Sequence, residues 1–150
     1  MAFLRPAGLL LVLVAVGCGG GDDEEATPAT TATEPAAAAP AGCVAADSSL
    51  MAPLGNATKD DAHRLKNGQA VESGDQDGIY FVSAEVYGAG VEEGTIGTWA
   101  TTSLGGAEAI WTVDDVAKEY SDLRDGTEVS GLSMEDDGAQ ESRDCVEAVR

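Results

Sequence analysis

The chain has 150 residues, 27 of them acidic and 8 basic, for a formal charge of −19. That balance argues against nucleic-acid binding and against electrostatic docking on anionic lipid, both of which draw on lysine and arginine. The acids read first as a solvated, self-repelling surface, with a face for a cation or cationic partner as the rival reading. Much of the 43% hydrophobic content is alanine or lies in residues 1–17, so the core must come from aromatic and branched residues after about position 50.

Residues 1–17 read as a signal peptide. Arg5 supplies the basic start, and the run Leu9 to Val16 supplies an apolar segment. Only about eleven residues separate Pro6 from Cys18, whereas a bilayer-spanning helix needs about 20. The ending Ala15-Val16-Gly17-Cys18 resembles a bacterial lipobox, with Ala15 in place of the usual leucine. Small residues let an extended backbone enter the signal peptidase, and the thiol takes up a diacylglyceryl group. Cys18 is therefore the expected lipidation site, and two or more acyl chains there give stable membrane anchoring. The rival is an ordinary cleaved secretory signal with an incidental cysteine.

From Gly19 to Gly42 only Gly, Ala, Thr, Pro, Asp and Glu occur. Such a segment has no side chain able to offset its ordering entropy, so residues 18–42 are expected to be the lipidated cysteine and a disordered tether. As a coil it would hold a domain roughly 25–30 Å from the membrane. A glycosylated, threonine-rich stalk is the alternative.

Residues 43–150 are expected to fold as one small globular domain. Thr58 is expected to cap a short helix ending at Gly68, with Ala62 and Leu65 facing inward. The run Ile79 to Tyr87, bounded by Asp77-Gly78 and Gly88-Ala89-Gly90, predicts a central strand covered on both faces. Thr95–Thr102 and Ala109–Val113 predict two more strands. Asp114 is placed to cap a helix whose inner face is Val116, Ala117 and Tyr120. A last helix is predicted from about Asp136 to Val149, with Ser142, Cys145, Val146 and Val149 on one stripe. The short gaps favour hairpins. The expected fold class is therefore α+β: a small antiparallel meander of about three strands, with helices on one face.

Cys43 and Cys145 bracket this domain. In an exported protein that placement predicts a disulfide joining the two ends, with free thiols or a redox pair as the alternatives. Closing about 100 residues stabilises a chain by roughly 4–5 kcal/mol on entropic grounds.

Catalytic signals are sparse. His63 is the sole histidine and is expected as an exposed helix residue beside Arg64. No Gly-x-Ser-x-Gly elbow or phosphate-cradling glycine loop occurs. Asp75-Gln76-Asp77-Gly78 has the look of a calcium-loop fragment, but the register puts Ser73 and Ala84 at the ligand positions, so a turn is expected. Asp114-Asp115 and Glu135-Asp136-Asp137 sit at predicted helix starts, where acids complement the dipole. Tyr80, Phe81, Tyr87, Trp99, Trp111 and Tyr120 are expected mainly in the core, against a ligand-stacking surface. No catalytic residue, metal site or cofactor is expected.

The stretch Gly78 to Tyr87, then Gly97-Thr-Trp-Ala-Thr-Thr-Ser-Leu, Val113-Asp114, Ala117, Tyr120-Ser121-Asp122 and a late cysteine resembles small uncharacterised exported lipoproteins of actinobacteria. The resemblance covers roughly residues 58 to 146 and implies export and the domain boundaries. It implies no catalytic residue. The expected function is a membrane-anchored, exported lipoprotein with a non-enzymatic domain that binds another envelope component or a protein partner. The alternative is a cation- or small-ligand-binding domain using its carboxylates, and a hydrolase is the weakest reading.

Overall fold

The computed structural model describes residues 41–106 and 109–150. The expected signal segment, Cys18 and the tether lie outside the described residues, apart from residues 41–42. The chain order is β1 (Val44–Ala45), α1 (Ser48–Asn56), β2 (Arg64–Glu72), β3 (Tyr80–Tyr87), β4 (Ile96–Thr101), β5 (Ile110–Thr112), α2 (Asp115–Tyr120), β6 (Arg124–Asp125), α3 (Gly126–Ser130) and α4 (Ala139–Ala148).

The strands form one six-stranded sheet in sequential order, β1 to β6. The first five pair antiparallel, while β5 and β6 pair parallel, so the sheet is mixed. The expected three-stranded antiparallel meander is thereby corrected. The parallel step needs a crossover connection, and α2 lies within it, leaving Thr112 and returning at Arg124.

The helices cover both faces of the sheet, not one. Side chains alternate along β3. Val82, Ala84 and Val86 join Ala70 and Trp99 on one face and meet Leu50 and Leu54 of α1 and Ala117 of α2. Phe81 points the other way, with Ala100 and Trp111, toward Ala139 of α4 and Leu132. Burial on both sides explains why β3 reads as an almost unbroken apolar run.

The segment expected as a helix from Thr58 to Gly68 is instead a turn followed by β2. Thr58 Oγ1 donates to the carbonyl of Gly55 at 2.9 Å, so it finishes α1 and caps nothing. Asp60 Oδ1 accepts from the N–H of Ala62 at 2.7 Å and closes a turn. Asn67 then adopts a left-handed conformation, φ 56°, at a bulge between Lys66 and Gln69. Asparagine tolerates that region better than most residues. At Gly68 the missing side chain leaves the seat taken by Met51 of α1.

Other local signals behave as their chemistry predicts. Asp114 caps α2, its Oδ1 accepting from the N–H of Ala117 at 2.7 Å. Asp47 caps α1 through the N–H groups of Ser49 at 2.8 Å and Leu50 at 3.3 Å. On β4 the Trp99 indole lies over Gly97, where an added Cβ would come within 2.7 Å of the ring. Its Nε1 donates to Ser121 Oγ at 3.1 Å, and that hydroxyl donates to the carbonyl of Ala117 at 2.6 Å. Sheet and α2 are thus locked by one buried aromatic.

Cys43 and Cys145 form a disulfide, with their Cα atoms 5.8 Å apart. It ties the edge of the sheet at β1 to the buried stripe of α4, where Ser142, Cys145 and Val146 are buried and Val149 is exposed.

Candidate binding groove

An open groove of about 430 Å³ lies between α1 and the outer edge of β2. Met51, Ala52, Gly55 and Asn56 form its helical wall, while Arg64 and Leu65 form its strand wall. Asp61 stands at the rim, on the turn that Asp60 closes.

The strand wall is an unpaired sheet edge. β1 covers only Gln69 and Ala70, and beyond it the N–H of Ala46 reaches the carbonyl of Gly68 at 2.9 Å. In an antiparallel ladder, the N–H and C=O of one residue face the same neighbour, and successive residues alternate. Val86 turns its N–H to Thr95 at 2.8 Å, toward β4. Glu85 and Tyr87 therefore turn toward β2, and their partners Lys66 and Arg64 turn back to β3. Leu65, between them, directs its backbone N–H and C=O outward along the groove.

The charges around the groove differ in how they are engaged. The Arg64 guanidinium donates to the carbonyls of Asp61 and His63, and the Lys59 ammonium donates to the carbonyl of Lys118 at 2.6 Å. Both cations are thus tied back on the protein. Asp61 belongs to no ion pair among the described residues, and neither does Asp122, whose N–H bonds the carbonyl of Ala57 at 2.9 Å. The groove therefore carries one carboxylate, Asp61, outside any ion pair among the described residues.

Elsewhere several polar residues are engaged in structural contacts. Glu85 is 5% exposed and is met by Lys66 at 3.2 Å, Arg150 at 3.9 Å and the amide of Asn67 at 3.3 Å. Lys66 also lies over the ring of the exposed Tyr87, 5.4 Å from its centroid. Lys118 bonds Asp125 at 2.9 Å, which holds the Asp125 carboxyl below its ordinary range and raises Lys118. His63 stands in the turn before β2, half-buried, and is not the exposed helix residue expected. Its Nε2 lies 3.3 Å from the carbonyl of Ala89 and its ring meets Tyr120 edge-on at 5.1 Å. Its Nδ1 is buried without a partner among the described residues.

The acidic turns separate into two cases. The Asp137 N–H donates to Asp75 Oδ2 at 3.2 Å, so these two loops do meet. Asp77 and Glu135 take no part in that contact. Among the described residues, no three of His, Cys, Asp and Glu converge as metal ligands. Of the aromatics, Phe81, Trp99 and Trp111 are core, Tyr80 and Tyr120 are half-buried, and Tyr87 is exposed. Among the described residues no helix is long and apolar enough to cross a membrane.

The groove itself was hidden from sequence reasoning, because both walls come from elements it did not predict. A usable signal existed for α1: Asp47 ahead of Leu50 and Leu54, a cap followed by an i, i+4 apolar pair. No known protein family matches the chain, and neither does any curated protein or solved structure.

Proposed function

We propose that the chain is an exported lipoprotein, held at the outer face of the cell membrane by lipid on Cys18, whose 43–150 domain is a non-enzymatic module that binds an envelope protein. The observation that carries the export half is the Cys43–Cys145 disulfide. Such bonds persist where the compartment is oxidising and are rare in the cytosol. The lipobox-like Ala15-Val16-Gly17-Cys18 supports the anchor. The groove with its open Leu65 backbone supports the binding role, since it offers surface and directional hydrogen bonds together.

Cell fractionation tests the reading. The unaltered chain should sediment with membranes and incorporate labelled fatty acid. Cys18→Ala should release it and abolish the label. A chain that stays in the cytosol with reduced cysteines would sink the proposal.

A further inference from the structure

We infer that the α1–β2 groove takes an extended, basic segment of a partner protein, which adds to the sheet as a strand in line with β1. This rests on the binding role proposed above and names its ligand. Three observations converge. The Leu65 backbone is unpaired and faces the groove, so a guest strand finds a donor and an acceptor at strand spacing. On the wall opposite, Met51 and Ala52 offer an apolar patch beside the polar Asn56, so the guest residue across from Leu65 should be aliphatic and of modest size. Its immediate neighbours would turn to the other face beside Arg64 and Lys66, where small neutral residues fit.

Charge selects the guest. Residues 43–150 carry 22 acids and 7 bases, a net −15 (7 − 22). A field of that sign speeds the approach of cationic segments and repels acidic ones, including a second copy of this chain. Locally, Asp61 lines the groove and belongs to no ion pair among the described residues, whereas the Arg64 guanidinium donates to the carbonyls of Asp61 and His63. A basic residue at the end of the guest strand meets Asp61. The edge is otherwise unguarded, since β1 stops after two residues and leaves Leu65 uncovered.

The test uses the full chain in detergent and a heptapeptide of alternating serine and valine with lysine at each end. Binding should slow hydrogen exchange of the Leu65 amide. N-methylation of the valines removes the ladder donors and keeps the charge, and should weaken binding about tenfold. Exchanging the terminal lysines for glutamates should weaken it at least as much. Gly55→Phe fills the groove; an added Cβ at Gly55 meets nothing within 4 Å, so the variant should melt like the parent and lose the peptide. Equal binding of the N-methylated peptide, of the acidic peptide, or by Gly55→Phe overturns the inference. So does failure of the lysine peptide to bind. If that chain still fractionates with membranes through Cys18, the anchoring proposal survives the loss.

Discussion

Ser83 on β3 and Ser142 on α4 share a hydrogen bond of 2.7 Å, both side chains fully buried. Ser142 Oγ donates to the carbonyl of Ala139 at 2.8 Å, so in this pair Ser83 is the donor. Thr98 Oγ1 on β4, 2.9 Å away, then donates to Ser83. A directed chain of hydroxyls thus crosses from β4 through β3 to α4, inside the face that α4 covers. Removing its centre strands a buried donor at Thr98, which costs about 1–3 kcal/mol. Ser83→Ala should lower stability by that amount. Ser142→Ala should do so too, and the double variant should cost less than the sum. Chemical denaturation of the four chains closes the cycle, and strict additivity would mean the hydroxyls act independently.

The parts of the fold that announce themselves in the sequence are those whose local chemistry agrees with their burial. β3 and β4 are β-branched and aromatic runs between glycines, and α2 begins at an aspartate that caps it. β2 hides because Arg64 to Glu72 holds Asn67-Gly68 at its middle and has no clean alternation; pairing with β3 makes it a strand. α1 hides because Pro53 and Gly55 interrupt its helical pattern, and Leu50 and Leu54 are stabilised by the sheet beneath. β6 is two residues long and exists only as a partner of β5. Helices on both faces follow from the burial of Phe81 and Val82 on opposite sides of β3.

The disulfide should dominate the stability of the domain. It spans 102 residues, and closing a loop of that length is worth about 4–5 kcal/mol through the unfolded chain. Cys43→Ser with Cys145→Ser should lower the unfolding free energy by an amount of that order. Denaturant titration under oxidising conditions measures it. A loss below about 1 kcal/mol would show that packing of α4 alone holds the ends.

Asp114 carries two roles that one substitution can separate. Its Oδ1 caps α2, while its Oδ2 accepts from Arg143 of α4 at 2.7 Å. Its side chain is only 9% exposed. Asp114→Asn keeps a capping oxygen and loses the ion pair; Asp114→Ala loses both. The alanine variant should be the less stable by about 1 kcal/mol, the worth of a helix cap. Equal melting of the two variants would assign the effect to the ion pair alone.

Stability should fall at both ends of the pH scale, and the Lys118–Asp125 pair contributes to both limbs. The Lys118 ammonium bonds Asp125 and holds its carboxyl below the ordinary 3.8. A lowered folded value means that the native state favours the ionised acid. That contribution is complete above the unfolded value and is lost as pH falls through the folded one. Asp47 adds in the same direction, because Ser49 hydroxyl and N–H bonds favour its charged form. Lys118 has the opposite sign. Its value is raised above 10.5, chiefly by Asp125, so its contribution is present below that value and is lost as pH rises past the raised one. Asp125→Asn should remove both limbs of this pair, flattening the fall below pH 3.8 and the fall above pH 10.5. Thermal melts of both chains across pH 2 to 11 check it. Both residues are partly exposed, so added salt should shrink the difference. Parallel curves for the two chains, at low salt, would mean that the Lys118–Asp125 bond does not form in solution.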